Sequence, residues 1–224
     1  MCGRFVGFRS LEELKENFPI DKADCEVTAN YNVAPSQEIL AIINMAGENR
    51  LDKFHWGLVP FWSKDISIGN RMINARSETI AEKPSFRNAF KKRRCLILAD
   101  GFYEWKGEKG HKQPMFITLP DRKPFAFAGL WETWNKKSDS ASIYKSCTII
   151  TTQASETFSE IHHRMPVILK SEFYEPWLDP QNHDLDALKN ILKNEIHTEL
   201  VSCPVSKQVN SASHNNPSCI EPIA

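Results

Sequence analysis

Short runs of apolar and β-branched residues, separated by turns rich in Gly, Pro, Asp or Lys, dominate this sequence. Four such runs lie in the middle of the chain, at residues 95–99, 115–119, 125–130 and 147–152. Two more, at residues 39–43 and 51–59, flank the turn-forming residues 46–49 and predict a β-hairpin. Runs this short and this rich in β-branched residues favour strands over helices.

Helical patterns are confined to short segments. Ser10 and Glu13 have the spacing of a capping box, which predicts a helix that ends before Pro19. Further helices are predicted at residues 84–90, 155–161, 172–178 and 184–196, a polar loop at 136–142 and an irregular tail at 210–222. Because strands and helices do not alternate regularly, we predict an α+β fold with a mostly antiparallel, curved or barrel-like sheet and peripheral short helices.

The length of 224 residues is typical of one domain, so we expect residues 1–224 to form a single domain. No apolar run approaches the roughly 18 residues needed to cross a bilayer, and residues 1–5 lack the apolar core of a signal peptide. We therefore expect no membrane association and a cytoplasmic protein.

Metal and cofactor motifs are absent from the sequence. The six cysteines are scattered without a CxxC pair, which indicates reduced thiols rather than a zinc site or a disulfide framework. His162 and His163 are adjacent, and we expect their side chains to point in different directions rather than share one metal. We predict no metal and no cofactor.

Bulk charge gives no indication of a nucleic-acid partner, because 28 basic residues balance 28 acidic ones. Residues 83–94 nevertheless carry six basic side chains and no acidic one. This segment is either a solvated helix followed by the turn into a strand, or a local basic surface of the kind that binds nucleic acid.

Cys2 follows the initiator methionine, which methionine aminopeptidase removes when the second residue is small. The product is a 1,2-aminothiol, whose amine has an ordinary pKa of about 7.7 to 8.0 and is substantially neutral near pH 8. An aldehyde reacts with the amine to give an imine, and addition of the sulfur then closes a five-membered thiazolidine ring. This chemistry requires loss of Met1; otherwise Cys2 is an ordinary small residue.

Several polar and aromatic segments interrupt or end the apolar runs, where loop positions favour function over packing. They are YNVAP at 31–35, WGLVPFW at 56–62, INARSET at 73–79, ADGFYEW at 99–105 and IHHRMP at 161–166. Taken singly, Trp62 is consistent with the core or its rim, and Asn74 with a turn cap. Arg76 is consistent with an ion pair to Glu78 or Glu104, and His162 with a satisfied core histidine.

Together with the N-terminal MCGRF and the late VNS at 209–211, these motifs appear in the order found in the SOS response-associated peptidase family. The resemblance covers nearly the whole chain. It implies that Cys2 forms a thiazolidine with an abasic site, and that Asn74, Glu104 and His162 surround the abasic sugar. Glu104 and His162 suit the proton transfers of sugar ring opening.

The same resemblance implies a DNA surface. Arg4, Arg76 and Arg164 are expected to bind phosphates and Trp62 to stack on an unpaired base. Phe61 departs from a family form that has two tryptophans at this place, so a stacking role for Phe61 does not follow. The implied partner is single-stranded DNA containing abasic sites, bound by a monomer that is nucleoid-associated while on DNA.

Three functional hypotheses remain open from the sequence. The first is covalent capture of abasic sites, with an associated strand-cleaving lyase activity through the imine intermediate. The second is a cysteine peptidase or autopeptidase that uses Cys2 as its nucleophile. The third is a non-covalent reader of damaged or modified DNA, in which the aromatic and basic side chains do the binding.

Overall fold

The larger of two sheets in the computed structural model contains a closed ring of strands. The structure describes residues 2–108, 110–135 and 143–223. The path β12-β11-β10-β7-β4-β5-β2 joins Arg164–Pro166 (β12), Tyr144–Gln153 (β11), Phe125–Trp134 (β10), Arg94–Ala99 (β7), Glu38–Met45 (β4), Glu48–Trp56 (β5) and Lys22–Ala23 (β2). Because β11 also pairs in parallel with β5, strands β11, β10, β7, β4 and β5 close on themselves. The barrel-like sheet predicted from the sequence is confirmed.

Two short strands extend this sheet. Asn74–Arg76 (β6) pairs in parallel with β11, and Ile168–Leu169 (β13) pairs in antiparallel fashion with β10. The predicted hairpin is present as β4 and β5, although β5 ends at Trp56, three residues earlier than expected. Gly57 ends it with a φ of +137°, and a Cβ there would meet the carbonyl oxygen of Gly69 at 2.6 Å.

The smaller sheet is antiparallel and carries the N-terminus. It runs in the order β14-β9-β8-β1-β3, formed by Val201–Pro204 (β14), Gln113–Thr118 (β9), Gly101–Lys106 (β8), Phe5–Gly7 (β1) and Asn30–Val33 (β3). Phe5 lies opposite Phe102 on one side and Val33 on the other. Since β1 is an interior strand, the residues just before it are held at the end of β8.

Four α-helices surround the sheets within the described residues: Leu11–Asn17 (α1), Arg87–Lys92 (α2), Tyr174–Leu178 (α3) and Leu185–Asn194 (α4). Ser10 forms the predicted capping box with Glu13, with contacts of 3.3 and 2.9 Å. The chain also has 3-10 helices at Ile66–Arg71, Phe158–Glu160, Ser171–Phe173, Lys207–Asn210 and Pro217–Ile220.

The helix predictions differ in their outcome. Those at 172–178 and 184–196 are confirmed in position. The helix predicted at 84–90 begins only at Arg87, after a series of turns, and that at 155–161 is reduced to a three-residue 3-10 helix. The 210–222 tail contains a 3-10 helix rather than being irregular throughout. The polar loop predicted at 136–142 lies outside the described residues.

Strand β7 shows how the layers are arranged. Its residues Cys95, Ile97 and Ala99 face a core that is shared with the smaller sheet, whereas Leu96 and Leu98 face a second core packed against the helices. Burial on both faces explains why this strand is a continuous apolar run rather than an alternating one.

The basic segment at residues 83–94 divides between the surface and the interior. Lys91 and Lys92 are exposed in α2, and Arg93 pairs with Glu132 at 2.7 Å. Arg94 is buried, and its guanidinium donates to the carbonyls of Phe90, Lys91, Trp177, Asp179 and Asn182. Burial lowers the pKa of Arg94 to about 10. Arg94 is therefore a structural residue that ties α2 to α3. No helix in the described part of the chain combines the length and apolar character needed to cross a membrane.

Candidate functional site

Cys2 lies immediately before β1 and is fully buried. Its carbonyl oxygen accepts a hydrogen bond from Nδ2 of Asn74 at 2.9 Å. Burial, reinforced by the negative charge of Glu104, raises the pKa of the Cys2 thiol well above its usual range, while the backbone N–H of Arg4 acts in the opposite direction. The thiol is therefore held in its protonated form at neutral pH.

Asn74 is positioned by the parallel pairing of β6 with β11, in which it lies opposite Ile149. The preceding carbonyl, that of Ile73, accepts from Nε1 of the buried Trp56 at 2.9 Å. Asn74 Oδ1 is buried and accepts no hydrogen bond from the described residues. The side chain thus holds the backbone of Cys2 with its nitrogen and keeps an acceptor for another donor.

Glu104 reaches the same place from β8. The N–H of Tyr103 donates to the carbonyl of Arg4 at 2.9 Å, which fixes the end of this strand beside the N-terminal residues. Glu104 is only 4% exposed, and its charge acts on both the Cys2 thiol and the His162 imidazole. A buried carboxylate next to a thiol and an imidazole is suited to proton transfer.

His162 lies between the 3-10 helix at Phe158–Glu160 and β12. Its Nδ1 is 2.9 Å from the backbone nitrogen of Arg164 and 3.0 Å from the carbonyl oxygen of the same residue. Burial lowers the pKa of His162, against the opposing charge of Glu104. The rings of His162 and His163 stack at 4.3 Å, so the expectation that the two side chains point in different directions is wrong.

The structure places the four predicted DNA-contacting side chains in two different environments. Arg4 and Arg164 are partly buried and hydrogen-bonded within the protein, whereas Arg76 and Trp62 are exposed. Trp62 is 49% exposed and its neighbour Phe61 54%. The loop that carries both aromatic residues is fixed at Ser63, whose carbonyl accepts from Nε1 of Trp134 at 2.8 Å.

Two residues that sequence reasoning did not single out support the site. Asn32, inside the YNVAP motif, is fully buried; its Oδ1 accepts from Arg4 at 2.7 Å, and its Nδ2 donates to carbonyls of the tail, those of Val209, Ser211 and His214. Glu78, inside INARSET, pairs with Arg164 and not with Arg76 as one reading of the sequence proposed. Both lie within quoted motifs, but their partners are distant in sequence.

The titratable side chains of the described segments form no cluster of three or more that has the arrangement of a metal site. All six cysteines are free thiols. The chemistry available at this site is therefore that of a thiol, an amide, a carboxylate and an imidazole brought together from four separate segments of the chain.

Comparison with known proteins agrees with this arrangement. The model of the SOS response associated peptidase (SRAP) family matches residues 1–212. The abasic site processing protein YoqW of Bacillus subtilis (strain 168) is 48% identical over 224 residues, which cover 99% of each chain. The abasic site processing protein YedK of Escherichia coli (strain K12) is 30% identical over 229 residues and 100% of both chains.

Solved structures resemble the fold equally well. A crystal structure of a Bacteroides thetaiotaomicron protein has a TM-score of 0.86 and 25% identity over the whole of both chains. A second, from Bordetella bronchiseptica, has a TM-score of 0.77 and 26% identity over 92% of this chain and 100% of the other. On the family match and the relatives together, this chain belongs to the SOS response associated peptidase family.

Proposed function

We propose that this protein processes abasic sites in single-stranded DNA by forming a covalent thiazolidine crosslink through Cys2 after loss of Met1. The observation that carries the proposal is the convergence of Asn74, Glu104 and His162 on a buried Cys2. Relatives named abasic site processing proteins align over almost the full length of the chain.

The proposed reaction begins at the amine. The abasic sugar must first open from its hemiacetal to the aldehyde, a step that needs a proton donor and a base. The free amine of Cys2 then adds to the aldehyde carbon to give a carbinolamine, which loses water to become an imine. The Cys2 sulfur adds to the same carbon, and its proton moves to the imine nitrogen. The net change is one carbon–nitrogen bond, one carbon–sulfur bond and the release of one water.

The environment of Cys2 supports this order of events. Because burial and Glu104 raise the pKa of the thiol, the sulfur is a neutral, weak nucleophile until a base removes its proton. The amine therefore attacks first. Glu104 is the base we assign to the thiol, since its charge acts on Cys2 directly, and His162 is the partner that exchanges protons with the opening sugar.

The DNA surface we propose extends from Asn74 to Arg76. Side chains two residues apart on a strand lie on the same face, about 6.6 Å apart. Arg76 is exposed, two residues along β6 from the side chain that holds Cys2, and it forms no salt bridge with the described residues. We assign a phosphate contact to Arg76 and a base stack to Trp62, on a monomer that binds one site.

The same geometry argues against a cysteine peptidase as the main activity. A peptidase nucleophile needs a thiol pKa that is lowered by a neighbouring imidazolium or helix N-terminus. Here the pKa of the Cys2 thiol is raised and that of His162 is lowered, which is the opposite pairing. Autoprocessing of Met1 remains the form of this second hypothesis that the experiment below also measures.

The test is the intact mass of the purified protein before and after mixing with a single-stranded oligonucleotide that carries one abasic site. We expect a protein lacking Met1, followed by a denaturant-stable adduct whose mass equals protein plus DNA minus one water. An oligonucleotide without the abasic site is the control. Retained Met1 with no adduct would refute covalent capture.

Variants of Cys2 separate the three hypotheses. Cys2→Ala keeps the amine and removes the sulfur, so we expect no stable adduct, with an imine that borohydride traps and β-elimination of the strand in its place. An undiminished thiazolidine mass in Cys2→Ala would refute the assignment. Salt-sensitive binding with no covalent product in either protein would favour the non-covalent reader.

A further inference from the structure

Arg164 is held by its side chain more firmly than a surface arginine usually is. Its Nη1 and Nη2 donate to the two carboxylate oxygens of Glu78 at 2.7 and 3.1 Å, and Nη2 also donates to the carbonyl of Thr151 at 2.7 Å. The Arg164 side chain is 12% exposed, against 46% for Glu78. A two-point contact between guanidinium and carboxylate fixes orientation as well as distance.

The backbone of the same residue surrounds one nitrogen of the catalytic imidazole. With His162 neutral, the N–H of Arg164 donates to Nδ1 at 2.9 Å, and the ring proton lies on Nε2. With His162 protonated, Nδ1–H can donate to the Arg164 carbonyl oxygen at 3.0 Å. Both states therefore find a partner without rotation of the ring, which suits a group that gains and loses a proton.

We propose that Glu78 is a positioning residue for His162 and acts through Arg164. The side chain of Arg164 ties β12 to the end of β6 through Glu78 and to β11 through Thr151, and this holds the peptide that contacts Nδ1. The inference rests on the proposed function to the extent that His162 takes part in the reaction. It assigns to the last part of the INARSET motif a role distinct from the DNA contact of Arg76.

Charge on Glu78 favours the held state. Although burial opposes it, the hydrogen bond from Arg164 and the charges of Arg164 and Arg76 lower the pKa of Glu78. The carboxylate is thus ionised at neutral pH, and both of its oxygens are acceptors. The other groups whose charges act on His162 are Glu104 and His163, so a change at Glu78 reaches the imidazole through Arg164.

The experiment compares Glu78→Gln with the unmodified protein by ¹⁵N NMR of the His162 ring, without DNA. Glutamine keeps the shape but offers one acceptor oxygen in place of two. We expect one neutral tautomer, with the proton on Nε2, in the unmodified protein and a mixture of both tautomers in Glu78→Gln. The rate of adduct formation should fall roughly tenfold, as expected for a displaced proton-transfer group.

Asp24→Asn is the matched control, because Asp24 also holds an arginine by two points, Arg50 at 2.7 and 3.0 Å, in another part of the fold. We expect the tautomer of His162 and the adduct rate in this variant to stay within twofold of the unmodified protein. An unchanged tautomer in Glu78→Gln, or an equal loss of rate in Asp24→Asn, would overturn the proposal. If the unmodified protein forms no adduct, the proposed function fails, while the NMR comparison still decides the role of Glu78.

Discussion

The two sides of the candidate site use the same device with different chemistry. On the cysteine side, Arg4 donates to Oδ1 of Asn32 at 2.7 Å and to the carbonyl of Val209 at 2.8 Å, while its backbone N–H acts on the Cys2 thiol. On the histidine side, Arg164 donates to Glu78, while its backbone contacts His162. In both cases an anchored arginine orients its reactive neighbour through the main chain.

The difference lies in the acceptors. Those of Arg4 are neutral and include a carbonyl of the C-terminal tail, so this anchor joins the two ends of the chain. The anchor of Arg164 is an ion pair with a carboxylate that is nearly half exposed. A buried anchor of neutral groups is costly to break and insensitive to pH, whereas a surface ion pair is weaker and depends on ionisation and salt.

Removal of Arg4 is expected to have the largest effect. Arg4→Ala leaves Asn32 Oδ1 and the Val209 carbonyl without this donor, at a cost of about 2 to 4 kcal/mol in the free energy of unfolding. Urea denaturation measures this loss, and adduct formation should fall with it because the tail and the Cys2 strand separate. Arg71→Ala, at an exposed arginine, is the control and should change stability by less than about 0.5 kcal/mol. Equal stability of the two variants would show that the Arg4 anchor contributes nothing.

Local patterns explain why much of the fold was predictable. The hairpin at β4 and β5 and the two-sided burial of β7 follow from apolar periodicity and turn residues over a few positions. The helix at Leu11–Asn17 follows from a capping box. Periodicity did not identify the 3-10 helix at Phe158–Glu160, because a single turn is too short to show a repeat.

The anchors of the site were not predictable, because their partners are far apart in sequence. Arg4 meets Val209 across 205 positions and Arg164 meets Glu78 across 86. The sequence offered Arg4, Arg76 and Arg164 as equivalent candidates for phosphate contacts, since each is an arginine in a motif. Burial and hydrogen bonding distinguish them, and these depend on the closure of the ring and on where the tail packs.

The two anchors are expected to respond differently to pH. The pKa of Glu78 is lowered in the folded protein, so its pairing stabilises the protein above the ordinary glutamate pKa of 4.5 and this contribution disappears as pH falls through the lowered value. The difference in Tm between the unmodified protein and Glu78→Gln should be present at pH 7, at up to about 1 kcal/mol, and should vanish in acid. The difference for Arg4→Ala should persist over the same range, because its acceptors carry no charge. A Glu78→Gln difference that is constant with pH would remove the distinction between the two anchors.

Arg76 provides the smallest and most selective effect, because it is the one of the three arginines that is exposed. Arg76→Ala should leave the free energy of unfolding within about 0.5 kcal/mol of the unmodified protein, as expected for an exposed side chain. Its affinity for single-stranded DNA should fall by a similar factor for every sequence, and the slope of log affinity against log salt should decrease by about 1, for one lost phosphate contact. Lys123→Ala, at a lysine that is 70% exposed, removes the same charge and should leave the slope unchanged. Equal slopes in the two variants would attribute the effect to net charge. A loss of stability in Arg76→Ala would instead place this arginine with Arg4 and Arg164 as an anchor of the fold.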